Sequence, residues 1–221
     1  MERINKIMDA DKAVSRIKDG DRIMVGGFGL RGTPDTLVEA LIRHGAKDLT
    51  LISNDAGSPG AGLGNLVSNR QVKHFIGSYY TWNQELVELY NKGEVEVKLV
   101  PQGTLAESIH AAGFGIPAYF TLASAGTELG KDKECRVYNG RNYVLEEAIH
   151  ADVALVQAYK ADTLGNLVYC KTARSFNPPM AMAAGYTIAL VDEIVEAGEL
   201  DPEVIVTPHI FVNAIVKEVK P

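Results

Sequence analysis

Cysteine is scarce. Cys135 and Cys170 are the only two in 221 residues, and they form no Cys-x-x-Cys pair. That count argues against a disulfide and predicts reduced thiols. Basic charge is also short: Lys and Arg total 22 against 28 Asp and Glu, a formal charge of −6. Nucleic-acid binding needs a basic face, so nucleic acid is excluded as the main partner. No apolar run approaches about 18 residues, so no membrane span is expected. The segment Met1 to Lys12 has no apolar signal core, so the expectation is a cytoplasmic protein without a secretory leader. The five histidines, His44, His74, His110, His150 and His209, never pair at ligand spacing, and no metal site is expected. A Gly-x-Ser-x-Gly elbow is absent too; Gly57-Ser58-Pro59-Gly60 has the wrong spacing.

What remains is a chain with 46% apolar and 23% charged residues, ample for a folded core. Its periodicity alternates. Asp11 is read as the cap of a short helix carrying Ala13, Val14 and Ile17. Residues 22–26 form an apolar run fit for a buried strand. A glycine-rich turn follows, then a helix with Thr33 as N-cap, Pro34 as first residue, an apolar stripe of Leu37, Val38, Leu41 and Ile42, and Gly45 as stop. Strands are expected at 49–53, 72–76 and 95–100, and helices at 84–90 and 104–112, with a long turn over 54–64. Past Pro117, Asn139-Gly140 stands between two β-like runs, a strong hairpin signal. Further strands are expected at 153–159, 167–169, 188–191 and 204–206, a broken helix around Pro178-Pro179, and a last element over 210–216. The reading is one α/β domain over residues 1–221. Its sheet is mostly parallel with helices on both faces, and its second half carries an antiparallel hairpin or flap.

The loop of Gly26, Gly27, Phe28, Gly29, Leu30, Arg31 and Gly32 is the most informative stretch. It leaves a strand and enters a helix, so free N–H groups and a positive helix end face one crevice, a site for an anion. Gly27-x-Gly29-x-x-Gly32 also satisfies the dinucleotide fingerprint, with Asp55 where a ribose-binding acid would sit. The helix start at Thr33-Pro34, after the glycines, counts against that fingerprint, and a tight turn that binds nothing is the bland alternative. Lys160, Lys171 and Arg174 are either anion clamps or a basic surface turn. Glu146-Glu147 is read as a solvated pair. No complete catalytic set appears.

Six ordered stretches nonetheless resemble one family. Residues 19–34, with Asp19-Gly20-Asp21 leading into the glycine loop, resemble the first signature of family I CoA-transferases. Residues 51–57, 99–105, 145–149, 160–166 and 173–178 resemble later stretches of the same family in the same order. From about Met8 onward the chain resembles the A (alpha) subunits of short-chain acyl or 3-oxoacid CoA-transferases. The resemblance implies CoA exchange between a carboxylic acid and an acyl-CoA (acetyl-, butyryl- or acetoacetyl-CoA). It implies a ping-pong route through a glutamyl-CoA thioester, with CoA as substrate and no tightly bound cofactor. The family's nucleophilic glutamate lies in a Glu-Asn-Gly context on the B subunit, and this sequence contains no Glu-Asn-Gly. A B (beta) partner is therefore implied, with two chains of each kind. By the same resemblance, Gly26 to Gly32 matches the CoA-associated loop. Gln102, in Pro-Gln-Gly-Thr, matches a residue that supports the oxyanion, where the residue-level alternative is helix-capping polarity. Asn54 matches a polar residue near the acyl pocket. Arg31 departs from the small or apolar residue expected there, consistent with a different acyl preference, a CoA phosphate contact or simple exposure. Three other readings stay open: an NAD-dependent dehydrogenase using the glycine loop, a non-catalytic scaffolding protein of the same fold, and a sugar-phosphate isomerase of similar fold, which the ordered motifs fit poorly.

Overall fold

The computed structural model describes residues 5–219; the outermost parts of the expected 1–221 domain lie outside the described residues. Helix α1 (Ala10–Val14) is capped by Asp9, whose extended backbone lets its carboxylate accept from the Lys12 amide. Asp11, the expected cap, lies inside the first turn and pairs with Arg43 at 2.6 Å. Strand β1 (Arg22–Val25) leads through the glycine loop to α2 (Asp35–His44), which ends at Gly45 in the left-handed conformation. That helix starts one residue later than expected, with Pro34 in the cap position. Strand β2 (Leu49–Ile52), α3 (Gly64–Ser68), β3 (Val72–Gly77), α4 (Gln84–Asn91), β4 (Glu96–Leu99) and α5 (Gln102–Gly113) follow. Next come β5 (Ala118–Thr121), β6 (Cys135–Tyr138) and β7 (Arg141–Glu147), then β8 (Ala151–Asp162), β9 (Leu167–Val168), α6 (Asn177–Ala183), β10 (Ala184–Val195) and β11 (Ala214–Lys217).

The main sheet has the order β11-β10-β8-β1-β2-β3-β4, all parallel, with β9 antiparallel to β8. Side chains alternate between two cores, as strand pleating requires. Ile23 and Val25 of β1 pack with Leu37, Leu41, Phe75, Leu86 and Leu155 on one face. Met24 packs with Leu105, Ile109, Met180 and Val156 on the other. Burial on both faces explains why the strands read as apolar runs. The expected α/β class is therefore observed, and so is the flap. Strands β5, β7 and β6 form a separate antiparallel sheet. Its tight turn has Asn139 at φ 49 and Gly140 at φ 73, the pair of positive values a type I′ hairpin needs.

Several expectations fail locally. Residues 204–206 are not a strand: Pro202–Val204 is a 3-10 turn whose Asp201 caps the Glu203 amide, and the chain then meets β9 only through a single bridge between Thr207 and Leu167. The last element starts late, after a 3-10 turn at His209–Phe211. The long turn over 54–64 runs directly into α3, and β5, four half-buried residues, carried no strand signal. Glu146 is not solvated; it is 7% exposed, accepts from Ser124 and pairs with Lys133. It alternates with its exposed neighbour Glu147 along β7, so the two face opposite sides.

The expected helix break lies before the prolines, not at them. Lys171–Arg174 is a 3-10 turn, Ser175 adopts φ 38 and ψ −130, and α6 then begins with Pro178-Pro179 in its first turn, where proline is tolerated. Fully buried Asn177 fixes this junction. Its Oδ1 accepts from the Gln157 amide at 2.8 Å. Its Nδ2 donates to the carbonyls of Gly32 at 3.0 Å and Ala173 at 2.9 Å. It leaves no space for a side chain at Gly26, where an added Cβ would lie 1.8 Å from Asn177 Oδ1. Gly32 combines φ 75 with a carbonyl 2.3 Å from any added Cβ.

Asn177→Ala orphans three backbone groups and is expected to cost about 3 kcal/mol, given ~1–3 kcal/mol per unsatisfied buried group. Denaturant unfolding checks this, and a loss under ~0.5 kcal/mol would contradict the account. Ser175 occupies a backbone region that glycine enters more easily, so Ser175→Gly is expected to stabilise by about 1 kcal/mol and raise Tm by about 2–4 °C. A lowered Tm would show that the conformation is not strained.

Candidate functional site

Parallel strands place all their C-terminal ends on one rim, and the loops there build the site. Four of them converge: the glycine loop after β1, residues 53–58 after β2, Ser78 to Trp82 after β3, and the start of α5 after β4. They enclose a cavity of about 760 Å³. Phe28, Gly29, Leu30 and Arg31 line it from the first loop, Asn54, Asp55, Gly57 and Ser58 from the second, Ser78, Tyr79 and Trp82 from the third, and Gln102 from the start of α5. A second hollow of about 360 Å³ adjoins it, sharing Phe28 and Gln102 and reaching Ser175 and Phe176.

The segment after β2 is held rigidly. Ser53 Oγ donates to the Val25 carbonyl at 2.9 Å. The Asn54 carbonyl accepts from the amides of Ser78 at 3.0 Å and Tyr79 at 3.1 Å. Asn54 is 3% exposed, so its side-chain amide has few choices. Asn54 Nδ2 donates to Asp55 Oδ2 at 3.0 Å, and Gln102 Nε2 donates to Asn54 Oδ1 at 2.8 Å. The sequence candidates Gln102 and Asn54, 48 residues apart, are thus directly bonded. Gln102 does not serve as a helix cap: Pro101 holds the cap position of α5 without a side-chain bond, and the Gln102 amide reaches across to the segment after β2.

Several amides of the glycine loop are already bonded within the chain. Phe28 and Arg31 exchange backbone bonds at 2.9 and 3.1 Å, closing a two-residue turn. Asp55 Oδ2 accepts from the Gly29 amide at 2.8 Å, and the Gly26 amide donates to Leu155. Helix α2 opens with Asp35, whose carboxyl is pushed up by burial and by nearby Glu39 and Glu218. Within the loop, Phe28, Gly29, Leu30 and Arg31 face the cavity, whereas Gly26, Gly27 and Gly32 pack against Asn177, Thr33 and Ala173. The dinucleotide reading fails for related reasons. The helix begins past the glycines, and Asp55 is committed to the Gly29 and Gly57 amides instead of a ribose.

The cavity's charge is sparse. Among the described residues, Arg31 is its only lining cation and Asp55 its only lining carboxylate. Both Asp55 oxygens accept bonds, Oδ1 from the Gly57 amide at 3.0 Å. Lys160 lies outside it, paired with Glu193 at 2.7 Å, and neither Lys171 nor Arg174 lines it. Exposed apolar side chains rim the mouth: Phe28 at 53%, Leu30 at 62%, Tyr79 at 50% and Trp82 at 66%. Among the described residues no group of three or more His, Cys, Asp or Glu is placed to hold a metal, and no helix is long and apolar enough to cross a membrane. Cys135 and Cys170 are free thiols. Sequence reasoning missed Tyr79, Trp82 and the structural role of Asp55. The available signal was positional, since each follows a strand in the parallel sheet.

Comparison with known proteins agrees with this architecture. The model of the Coenzyme A transferase family matches residues 7–218. The chain is 51% identical over 215 residues to the A subunit of the Helicobacter pylori succinyl-CoA:3-ketoacid coenzyme A transferase, covering 97% of this chain and 93% of the relative. It is 50% identical over 216 residues to the A subunit of the Pseudomonas putida 3-oxoadipate CoA-transferase, covering 96% and 94%. Among solved structures, the fold is shared with an acyl-CoA transferase of E. coli O157:H7 in a thioester complex with CoA, at TM-score 0.86 and 20% identity over 97% of this chain and 50% of that one. Glutaconate coenzyme A-transferase from Acidaminococcus fermentans gives TM-score 0.83 and 24% identity over 96% and 75%. Neither the dehydrogenase nor the scaffold alternative finds support in these matches. With a family match spanning nearly the whole chain and relatives at half identity, this protein belongs to the coenzyme A transferase family.

Proposed function

We propose that this chain is the A component of a heteromeric CoA-transferase that exchanges CoA between a short 3-oxoacyl or acyl-CoA and a free carboxylate. The observation that carries the reading is a cavity with a poised amide, Gln102, and no uncommitted carboxylate among its described lining residues. Thioester exchange onto a carboxylic acid needs a nucleophile, and Asp55 is occupied by three donors. The nucleophile therefore comes from another chain, a B subunit bearing a glutamate. Both relatives are named as A subunits, and their names point to acyl groups with a 3-oxo function.

The partner's glutamate attacks the thioester carbonyl and expels CoA as its thiolate. The thiolate then attacks the resulting mixed anhydride, freeing the acid and leaving CoA on the glutamate. A second carboxylate reverses the sequence. Each carbonyl addition generates an oxyanion. Gln102 uses one Nε2 hydrogen on Asn54 and keeps the other, a neutral donor that stabilises such charge without titrating. Phe28, Gly29, Leu30 and Arg31 form the wall along which the CoA arm lies, while Asn54 supports the acyl end. The exposed rim of Phe28, Leu30, Tyr79 and Trp82 is apolar surface that the partner covers. Two chains of each kind assemble in the cytoplasm, with no tightly bound cofactor.

The isolated chain is expected to show no CoA transfer between acetoacetate and succinyl-CoA or acetyl-CoA, with activity appearing on adding the B chain. Robust activity without a partner would refute the shared site. In the complex, Gln102→Ala is expected to lower turnover by roughly tenfold to a thousandfold with unchanged Tm, the scale of a lost oxyanion donor. Unchanged turnover would remove Gln102 from the mechanism.

A further inference from the structure

An amide side chain presents a donor at one end and an acceptor at the other, and nothing in its shape fixes which way round it sits. Gln102 is useful to an oxyanion only if its nitrogen, not its oxygen, turns to the reacting carbonyl. Some other group must set that orientation.

We infer that Asp55 is a positioning residue that sets the polarity of the Gln102 amide through Asn54. An ionised carboxylate only accepts hydrogen bonds. Facing Asp55 Oδ2 at 3.0 Å, the Asn54 side chain must present Nδ2. Its Oδ1 then points to Gln102, which must present Nε2 at 2.8 Å. The relay has one consistent direction, from an acceptor-only end to a donor that retains one free hydrogen. Polar groups linked this way also polarise one another. Asp55 is itself fixed by the Gly29 amide at 2.8 Å and the Gly57 amide at 3.0 Å. The Asn54 backbone is pinned by Ser78 and Tyr79, so only its side-chain amide is free to turn. Without Asp55 both amides are able to reverse, and a reversed Gln102 sets its carbonyl oxygen against the developing negative charge. This inference rests on the CoA-transferase reading and adds to it the group that orients the donor.

The test is a double-mutant cycle in the complex with the B chain, using Asp55→Ala, Asp55→Asn, Gln102→Ala and the two double variants. Turnover, KM for the acyl-CoA and Tm are measured for each. Asp55→Ala is expected to lower kcat about tenfold or more in the wild-type background, with KM within about threefold. In the Gln102→Ala background the same substitution is expected to change kcat by less than about twofold, because the group it orients is gone. Asp55→Asn keeps one acceptor oxygen, which serves Gly29 and Asn54 if the new amide nitrogen turns to Gly57. Its loss is expected to be smaller, and also absent in the Gln102→Ala background. A purely structural role predicts the same fold-loss in both backgrounds, and that result would overturn the inference. So would unchanged kcat in both Asp55 variants. If the Asp55→Ala complex does not assemble, the Asp55→Asn cycle decides by the same criterion. A wild-type complex without transfer activity would overturn this inference and the proposed function together. Additive losses in an active complex would overturn this inference alone.

Discussion

One buried amide holds together the parts of the chain that meet at the site. Asn177 sits at the start of α6, with its oxygen on the β8 backbone and its nitrogen shared between the glycine loop and the turn before its own helix. One of those bonds is buried and the other two are half-buried, so each backbone group gains from a side-chain partner. A neutral amide meets both demands at once, having an acceptor and two donors. A carboxylate there would set oxygen against the Gly32 and Ala173 carbonyls. The glycines that precede and end the loop follow from the same contact, since Gly26 and Gly32 lie where Asn177 and the Ala173 carbonyl leave no room for a Cβ.

The opposite side of the loop depends on Asp55. Its carboxylate accepts from the Gly29 amide, one of the loop donors expected to face a ligand. The loop is thereby a preformed wall of the cavity. Its outward residues, Phe28 and Leu30, remain exposed among the described residues. A rigid loop, a directed amide relay and an uncovered apolar rim agree with a half-site completed from outside. Preorganised donors contribute most to catalysis when they need no rearrangement as charge develops.

Much of the molecule was readable from local pattern. Apolar runs, helical stripes and the Asn139-Gly140 turn marked most elements within a few residues. What they shared was a cause acting within a few positions of the chain. The errors fell where local and distant causes diverged. Glu146 and Glu147 look alike in sequence, yet alternation on β7 buries one beside Lys133 and exposes the other. Pro178-Pro179 suggested a broken helix, but the break lies at Ser175, in the connection that Asn177 ties to the glycine loop.

The sequence by itself determined an α/β chain with a glycine-rich turn after its first strand, and its ordered motifs identified the family. By resemblance to that family, the missing Glu-Asn-Gly carried the expectation of a partner chain. The tertiary structure decided which polar groups share bonds: Asp55 with Gly29 across 26 residues, Gln102 with Asn54 across 48, and Asn177 with Gly32 across 145. Hydrogen-bond partners at such separations leave no periodic trace, because they are chosen by how the strands order in the sheet. That order gave Asp55 its role as an internal acceptor, where sequence pattern had offered only a ribose ligand.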